Sequence, residues 1–99
     1  MAQTAISQAD LAAFLASHPA WKVEAGMLVR TYTARGFLPA LSFVQAVGAL
    51  AEAADHHPDI DIRWKHVTLR FVTHDAGNAI TSLDTRLAGE CDHVFNAPP

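Results

Sequence analysis

Apolar residues along the chain follow two different spacings, and the switches between them mark out its elements. Over residues 7–18 (SQADLAAFLASH), Leu11, Phe14 and Leu15 recur at the three-and-four spacing of one helical face. Ser7 supplies an N-cap with Asp10 as a shortened capping box. Ile6 and Leu11 are spaced as a hydrophobic staple, and His18-Pro19 stops the helix. Residues 21–36 change to period two. Val23, the Glu24-Ala25-Gly26 break, and Leu28, Arg30 and Tyr32 alternating with Val29, Thr31 and Thr33 read as a hairpin.

The helical period returns over 37–57, with Pro39 in the first turn. Leu41, Val44, Val47, Gly48, Ala51 and Ala54 or Asp55 form one stripe, small enough to lie close to a sheet. Two further strands follow. Residues 59–64 put Ile60, Ile62 and Trp64 on one face, and residues 66–74 do the same with Val67, Leu69, Phe71 and Thr73. Residues 75–80 are loop. Thr81 caps a last helix with Asp84 at the capping-box position, and Leu83, Leu87, Cys91 and Val94 or Phe95 form its stripe. Residues 96–99 are a tail. The order helix, two strands, helix, two strands, helix predicts an α+β fold over residues 1–99. A four-stranded antiparallel sheet would carry three helices on one face.

Composition narrows what such a domain does. Ninety-nine residues, 51% apolar and 17% charged, suffice for one core without disulfides or metals. The many alanines keep core volume per residue low, which favours self-association. Seven scattered basic residues and a net charge of −3 argue against direct nucleic-acid binding, which needs clustered Lys and Arg. No apolar stretch reaches the ~18 residues of a membrane span. The N-terminal MAQTAISQAD lacks the basic start and apolar core of a signal peptide. The single cysteine, Cys91, has no internal partner, so a reducing, cytoplasmic setting is expected.

Three histidines carry the candidate chemistry. His56-His57-Pro58 stands where the second helix meets a strand, and His74 stands at a strand end beside a glycine-containing loop. A single histidine at a helix C-terminus is accounted for as a cap that favours the dipole. A second one, held extended by the following proline, needs a further reason. Adjacent imidazoles diverge, so zinc ligation is not offered. The chain also lacks a GxSxG nucleophile elbow and a glycine-rich phosphate loop. Proton transfer remains, because histidine both gives and takes a proton near neutrality. Glu52, four residues before His56 on the same helical face, and Asp75 are the carboxylates that could orient the rings. Asp75 reads equally as a loop-starting turn residue, and Asp84 as a helix cap.

The segment AEAADHHPDIDIRWKHVTLRFVTHDAG resembles the signature of the pterin-4a-carbinolamine dehydratase family. It presents Glu52, His56-His57-Pro58, Thr73-His74-Asp75, Gly77, Thr81-Ser82-Leu83-Asp84 and Leu87-Ala88 in the family's order. The likeness also takes in Trp21, Arg30, Tyr32 and the helix after Phe37, nearly the whole chain. It implies this same α+β fold, assembled as a homodimer or homotetramer. The implied reaction is loss of water from 4a-hydroxytetrahydropterin to quinonoid dihydropterin, recycling the pterin after aromatic amino-acid hydroxylation, without metal or organic cofactor. His56, His57, His74 and Glu52 would be the catalytic residues. His56, His57, Pro58, Thr73, His74, Asp75 and Ala76 would contact the pterin. Which histidine is acid and which is base stays open. The chain departs from the family at Trp64, where Tyr is commoner, and at Ile60, where animal members carry Trp. The loop Gly77–Thr81 is one residue longer than usual, with Asn78 in place of a second glycine. Relatives on this fold also act as a coactivator-like partner of a homeodomain transcription factor or as an assembly factor for a carbon-fixing enzyme. A non-enzymatic dimerisation or assembly role, or binding of another pterin or folate-like ligand, is therefore the alternative.

Overall fold

A computed structural model describes residues 4–97. Its elements run α1 (Gln8–Ser17), β1 (Lys22–Glu24), β2 (Met27–Thr33), α2 (Phe37–Ala54), β3 (Asp59–Arg63), β4 (His66–Phe71) and α3 (Ser82–Asn96). A short 3-10 turn at His74–Ala76 precedes α3. The strands form a four-stranded antiparallel sheet in the order β1-β2-β4-β3, the α+β arrangement expected from the pattern.

Local chemistry places the boundaries. Ser7 accepts a 3.1 Å hydrogen bond from the Asp10 backbone N–H and starts α1. Ala25 and Gly26 both take positive φ, the geometry of a tight hairpin turn between β1 and β2. Asp55, at φ 50°, ends α2 in a left-handed cap, three residues short of the expected terminus. Thr81 and Asp84 close a full capping box at the start of α3.

The sheet register decides which side chains meet. Leu28 stands opposite Phe71, Arg30 opposite Leu69 and Tyr32 opposite Val67, while Ile60 and Ile62 of β3 face Leu69 and Val67. Cross-strand partners share a face. On this inner face Leu28, Tyr32, Val67, Leu69 and Phe71 are almost fully buried against Ala40, Phe43 and Val47 of α2 and Leu87, Ala88 and Cys91 of α3. From α1 come the half-buried Leu11, Phe14 and Leu15. The outer face is polar, with Thr31 bonded to Thr68 and Thr33 to His66 across exposed surface.

Several positions differ from the periodic reading. In α2 the buried residues are Ala40, Phe43, Val47 and Ala51, and Leu41 is exposed. That helix is apolar nearly all round, so spacing alone does not select its inward face. An added Cβ at Gly48 would meet nothing within 4 Å, so no close approach is made there. Trp64 leaves the strand for the two-residue turn before β4, at φ 51° and 64% exposed. The strand expected to reach His74 ends at Phe71. Asn96 belongs to α3, and the last two residues of the expected tail, like residues 1–3 of the N-terminal segment, lie outside the described residues.

α2 also corrects the expectation about membrane-length stretches. Its 18 residues average a hydropathy of 1.5, long and apolar enough to cross a membrane by length and composition. Isolated polar residues such as Ser42, Gln45 and Glu52 interrupt the run without lowering its average much. Only part of this apolar surface is used within the protomer, and Phe37, Leu38 and Leu41 remain exposed.

A buried polar knot ties the sheet to α3. Asp92 accepts hydrogen bonds from Trp21 Nε1 at 3.0 Å to each oxygen, from Arg30 Nη1 at 2.7 Å, and from the Tyr32 hydroxyl. Burial, reinforced by Asp92, pushes the pKa of the Tyr32 hydroxyl well above the usual phenol range and keeps it a donor. Arg30 also lies 4.1 Å over the Tyr32 ring. Next to Asp92, burial first and then the Asp92 and Glu90 carboxylates push the Cys91 thiol up to about 12, which makes it a core residue and not a nucleophile.

Candidate active site

The site forms where the end of α2 meets the start of α3, beneath the end of β4. Asp84 is its hub. Required by sequence only as a cap, it is fully buried and uses both oxygens. Oδ2 accepts from the Thr73 hydroxyl at 2.8 Å and from the Thr81 backbone N–H at 2.8 Å. Oδ1 meets His56 Nε2 at 2.5 Å. The His56 ring and Thr73, 17 positions apart in the chain, therefore sit on the two oxygens of one carboxylate. A neutral His56 donates Nε2–H to Asp84, which leaves Nδ1 as the ring nitrogen free to exchange a proton. Its ring lies nearly parallel to Phe71 at 6.3 Å between centroids.

Glu52 does not pair with His56, the residue one helical turn on. It meets His57 Nε2 at 2.6 Å. The left-handed Asp55 turns the chain out of the helix before His56, so the next imidazole swings back over Glu52 while His56 points inward to Asp84. His57 and Glu52 are exposed, whereas the His56 side chain is 10% exposed.

His74 opens the 3-10 turn and is exposed, with Nδ1 2.7 Å from Asn78 Oδ1. Its neighbour Thr73 is buried. The Thr73 hydroxyl bonds Asp84 and Thr81, its N–H donates to Ala79 O, and its carbonyl accepts from Ala76 N–H. With its polar groups engaged in this way, Thr73 acts on the site by anchoring it. Asp75 is exposed and makes no side-chain hydrogen bond among the described residues; Pro58 and Ala76 are half-buried.

Two grooves lie away from these histidines. One of about 730 Å³ runs between the N-terminal half of α2 and the end of α3, past Leu38, Phe43 and Phe95. The other, about 390 Å³, lies beside Arg30 and Asp92. His57 and His74 are exposed, whereas His56 reaches inward to a buried anchor, Asp84. Among the described residues no group of three His, Cys, Asp or Glu is placed to hold a metal ion.

Known proteins resemble this chain over nearly its whole length. The family model described as pterin 4 alpha carbinolamine dehydratase matches residues 4–94. A protein from Chloroflexus aurantiacus named "Putative pterin-4-alpha-carbinolamine dehydratase" is 46% identical over 90 residues, covering 91% of this chain and 96% of its own. A protein of the same name from Mycolicibacterium smegmatis is 42% identical over 91 residues, covering 92% of this chain and 96% of its own. In fold, the chain is similar to the crystal structure of a transcriptional coactivator/pterin dehydratase from Brucella melitensis. That likeness has a TM-score of 0.87 at 21% identity and covers 94% of this chain and 100% of that one. The histidine pair, the distant histidine and the aspartate that holds His56 all fall within the matched span, and the chain belongs to the pterin 4 alpha carbinolamine dehydratase family.

Proposed function

We propose that the protein catalyses loss of water from 4a-hydroxytetrahydropterin to give quinonoid dihydropterin, with His56, His57 and His74 supplying the acid and the base. The observation that carries this reading is the double use of Asp84, which holds His56 on one oxygen and the anchor of His74 on the other. Hydroxide is a poor leaving group, so an acid must protonate the oxygen on C4a as that bond breaks. A base must take the proton of the adjacent ring nitrogen so that the new double bond can form. Positioned transfers of this kind contribute about 10²–10⁴-fold each. Asp84 supports an imidazolium at His56 during turnover as a buried carboxylate supports the histidine of a catalytic triad. Pro58, Asp75 and Ala76 flank the rings and would form the rim that meets the pterin.

The reading is tested by adding a stable dihydropterin to the protein and following the ring C–H signals of each histidine by NMR. His56, His57 and His74 are expected to shift together with one binding constant. Movement of none of them, or of distant His18 and His93 instead, would contradict it.

Glu52 has a smaller expected effect. Its pair with His57 is 79% and 55% exposed, and exposed pairs contribute only ~0–1 kcal/mol. Glu52→Gln is expected to lower kcat by less than about fivefold in steady-state kinetics.

The protein is also proposed to self-associate through α2. Phe37, Leu38 and Leu41 leave that helix more apolar than its own sheet requires, and a second copy presents the same surface to it in a two-fold contact. Leu38 is 71% exposed, so Leu38→Glu is expected to leave the protomer folded and to lower the molar mass seen by light scattering. An unchanged mass would remove α2 from the interface. The same surface would serve the second reading, a non-enzymatic assembly or coactivator-like partner. Name alone supports that reading from the Brucella melitensis protein.

A further inference from the structure

We infer that Asn78 is a positioning residue that holds His74 in the Nδ1–H tautomer, so that its outward Nε2 is the acceptor that removes the proton from the pterin ring nitrogen. This deepens the dehydratase reading above and rests on it.

The loop is built to bring the two side chains together. Thr73 and Ala79 form an isolated antiparallel bridge, with Thr73 N–H donating to Ala79 O at 2.9 Å, and residues 74–78 are closed between them. Ala76 N–H bonds Thr73 O, and Gly77 N–H bonds His74 O, which makes a single 3-10 turn. Gly77 and Asn78 then both take left-handed backbone, at φ 71° and 61°. Two left-handed residues in a row reverse the chain and carry the Asn78 side chain back to the ring. Glycine accepts this conformation freely, and asparagine is among the few other residues that do so at low cost. The loop is fixed at its base because Thr73 is buried and bonded to Asp84 and Thr81. Asn78 therefore meets a residue whose backbone does not wander.

The bond itself carries chemical information. Asn78 Oδ1 lies 2.7 Å from His74 Nδ1, and a carbonyl oxygen only accepts. An Nδ1–H donating to that oxygen leaves the lone pair of the neutral ring on Nε2. His56 and His57 have different partners, since both meet a carboxylate through Nε2. An anion supports a charged imidazolium waiting to give up a proton, whereas an uncharged amide sets a tautomer without adding charge. This division assigns the base to His74 and leaves the acid to a carboxylate-held ring, with His56 on the buried Asp84 the better supported. One proton passes from the pterin nitrogen to His74 Nε2 and one from His56 to the departing oxygen. Water leaves, and solvent restores both rings.

The test uses variants that respect the left-handed backbone. Asn78→Gly removes the acceptor without strain at φ 61°, while Asn78→Asp keeps an acceptor oxygen in the same place. Ring nitrogen-15 chemical shifts of His74 are read by NMR on the ligand-free protein, and kcat and KM are measured in parallel. The unmodified protein is expected to show protonated Nδ1 and unprotonated Nε2. In Asn78→Gly the tautomers should mix and kcat should fall about fivefold at unchanged KM, on the scale of one exposed hydrogen bond. Asn78→Asp should restore the Nδ1–H tautomer. A His74 that carries its proton on Nε2, or ring shifts and kcat that ignore Asn78→Gly, would overturn the inference. Failure of the unmodified protein to accelerate dehydration would instead remove the dehydratase reading, and the NMR result would still decide what Asn78 does to the ring.

Discussion

His56→Gln is expected to lower dehydration turnover by about 10²–10⁴-fold with little change in thermal stability. In the proposed reaction His56 serves two purposes. Its Nε2 satisfies a fully buried carboxylate, and its Nδ1 is left for chemistry. Truncation to alanine would strand Asp84 Oδ1 in the interior at a cost of about 1–3 kcal/mol, and structural damage would then blur the kinetic result. Glutamine places an N–H donor where the imidazole Nε2 was, so the hub remains satisfied, but it cannot exchange a proton. The measurement is kcat against the spontaneous reaction, with circular dichroism melting as the control. A variant that keeps its activity would remove His56 from the proton path.

Asp92→Ala is expected to do the opposite, unfolding the protein at lower temperature while sparing the site. Asp92 receives Trp21, Arg30 and Tyr32 from two separate parts of the chain, so removing it leaves a guanidinium, an indole N–H and a phenol without their acceptor. Breaking one side of such a pair costs about 3 kcal/mol, taken at the low end because Arg30 keeps some access to water. In a domain of this size that corresponds to a fall in Tm of about 12–24 °C. Asp92 lies eight residues along α3 from Asp84, roughly 12 Å at the helical rise. Below its melting temperature the variant should retain its kcat. A melting temperature within about 3 °C of the parent would show that the knot contributes little.

The strand pattern was legible because alternation of Val67, Leu69 and Phe71 with polar residues permits only one buried face. The caps of α1 and α3 were legible for a similar reason, since Ser7 and Thr81 act on donors two or three residues away. The inward face of α2 was not, because a helix with apolar residues on most sides has no stripe to read. Alternation extends the strand to Trp64 because a turn that puts a bulky residue at positive φ runs against local preference. At the site, the candidate histidines are visible from type and spacing, but their partners are not. Glu52 found His57 instead of His56 because one left-handed residue, Asp55, redirected the chain. The cap reading of Asp84 was correct as far as it went. Its second oxygen, turned to a histidine from another element, is a tertiary fact that no local pattern announces. Asn78 stands out in the sequence only as a departure from the family's glycine.

The central claim is that His56, held by Asp84, together with His57 and His74 moves protons for a pterin, and its most direct test is turnover itself. Purified protein is mixed with freshly generated 4a-hydroxytetrahydropterin, and the absorbance of the quinonoid product is followed beside a protein-free control. The account predicts product formation well above the spontaneous rate, proportional to protein concentration. Identical traces with and without folded protein would contradict it.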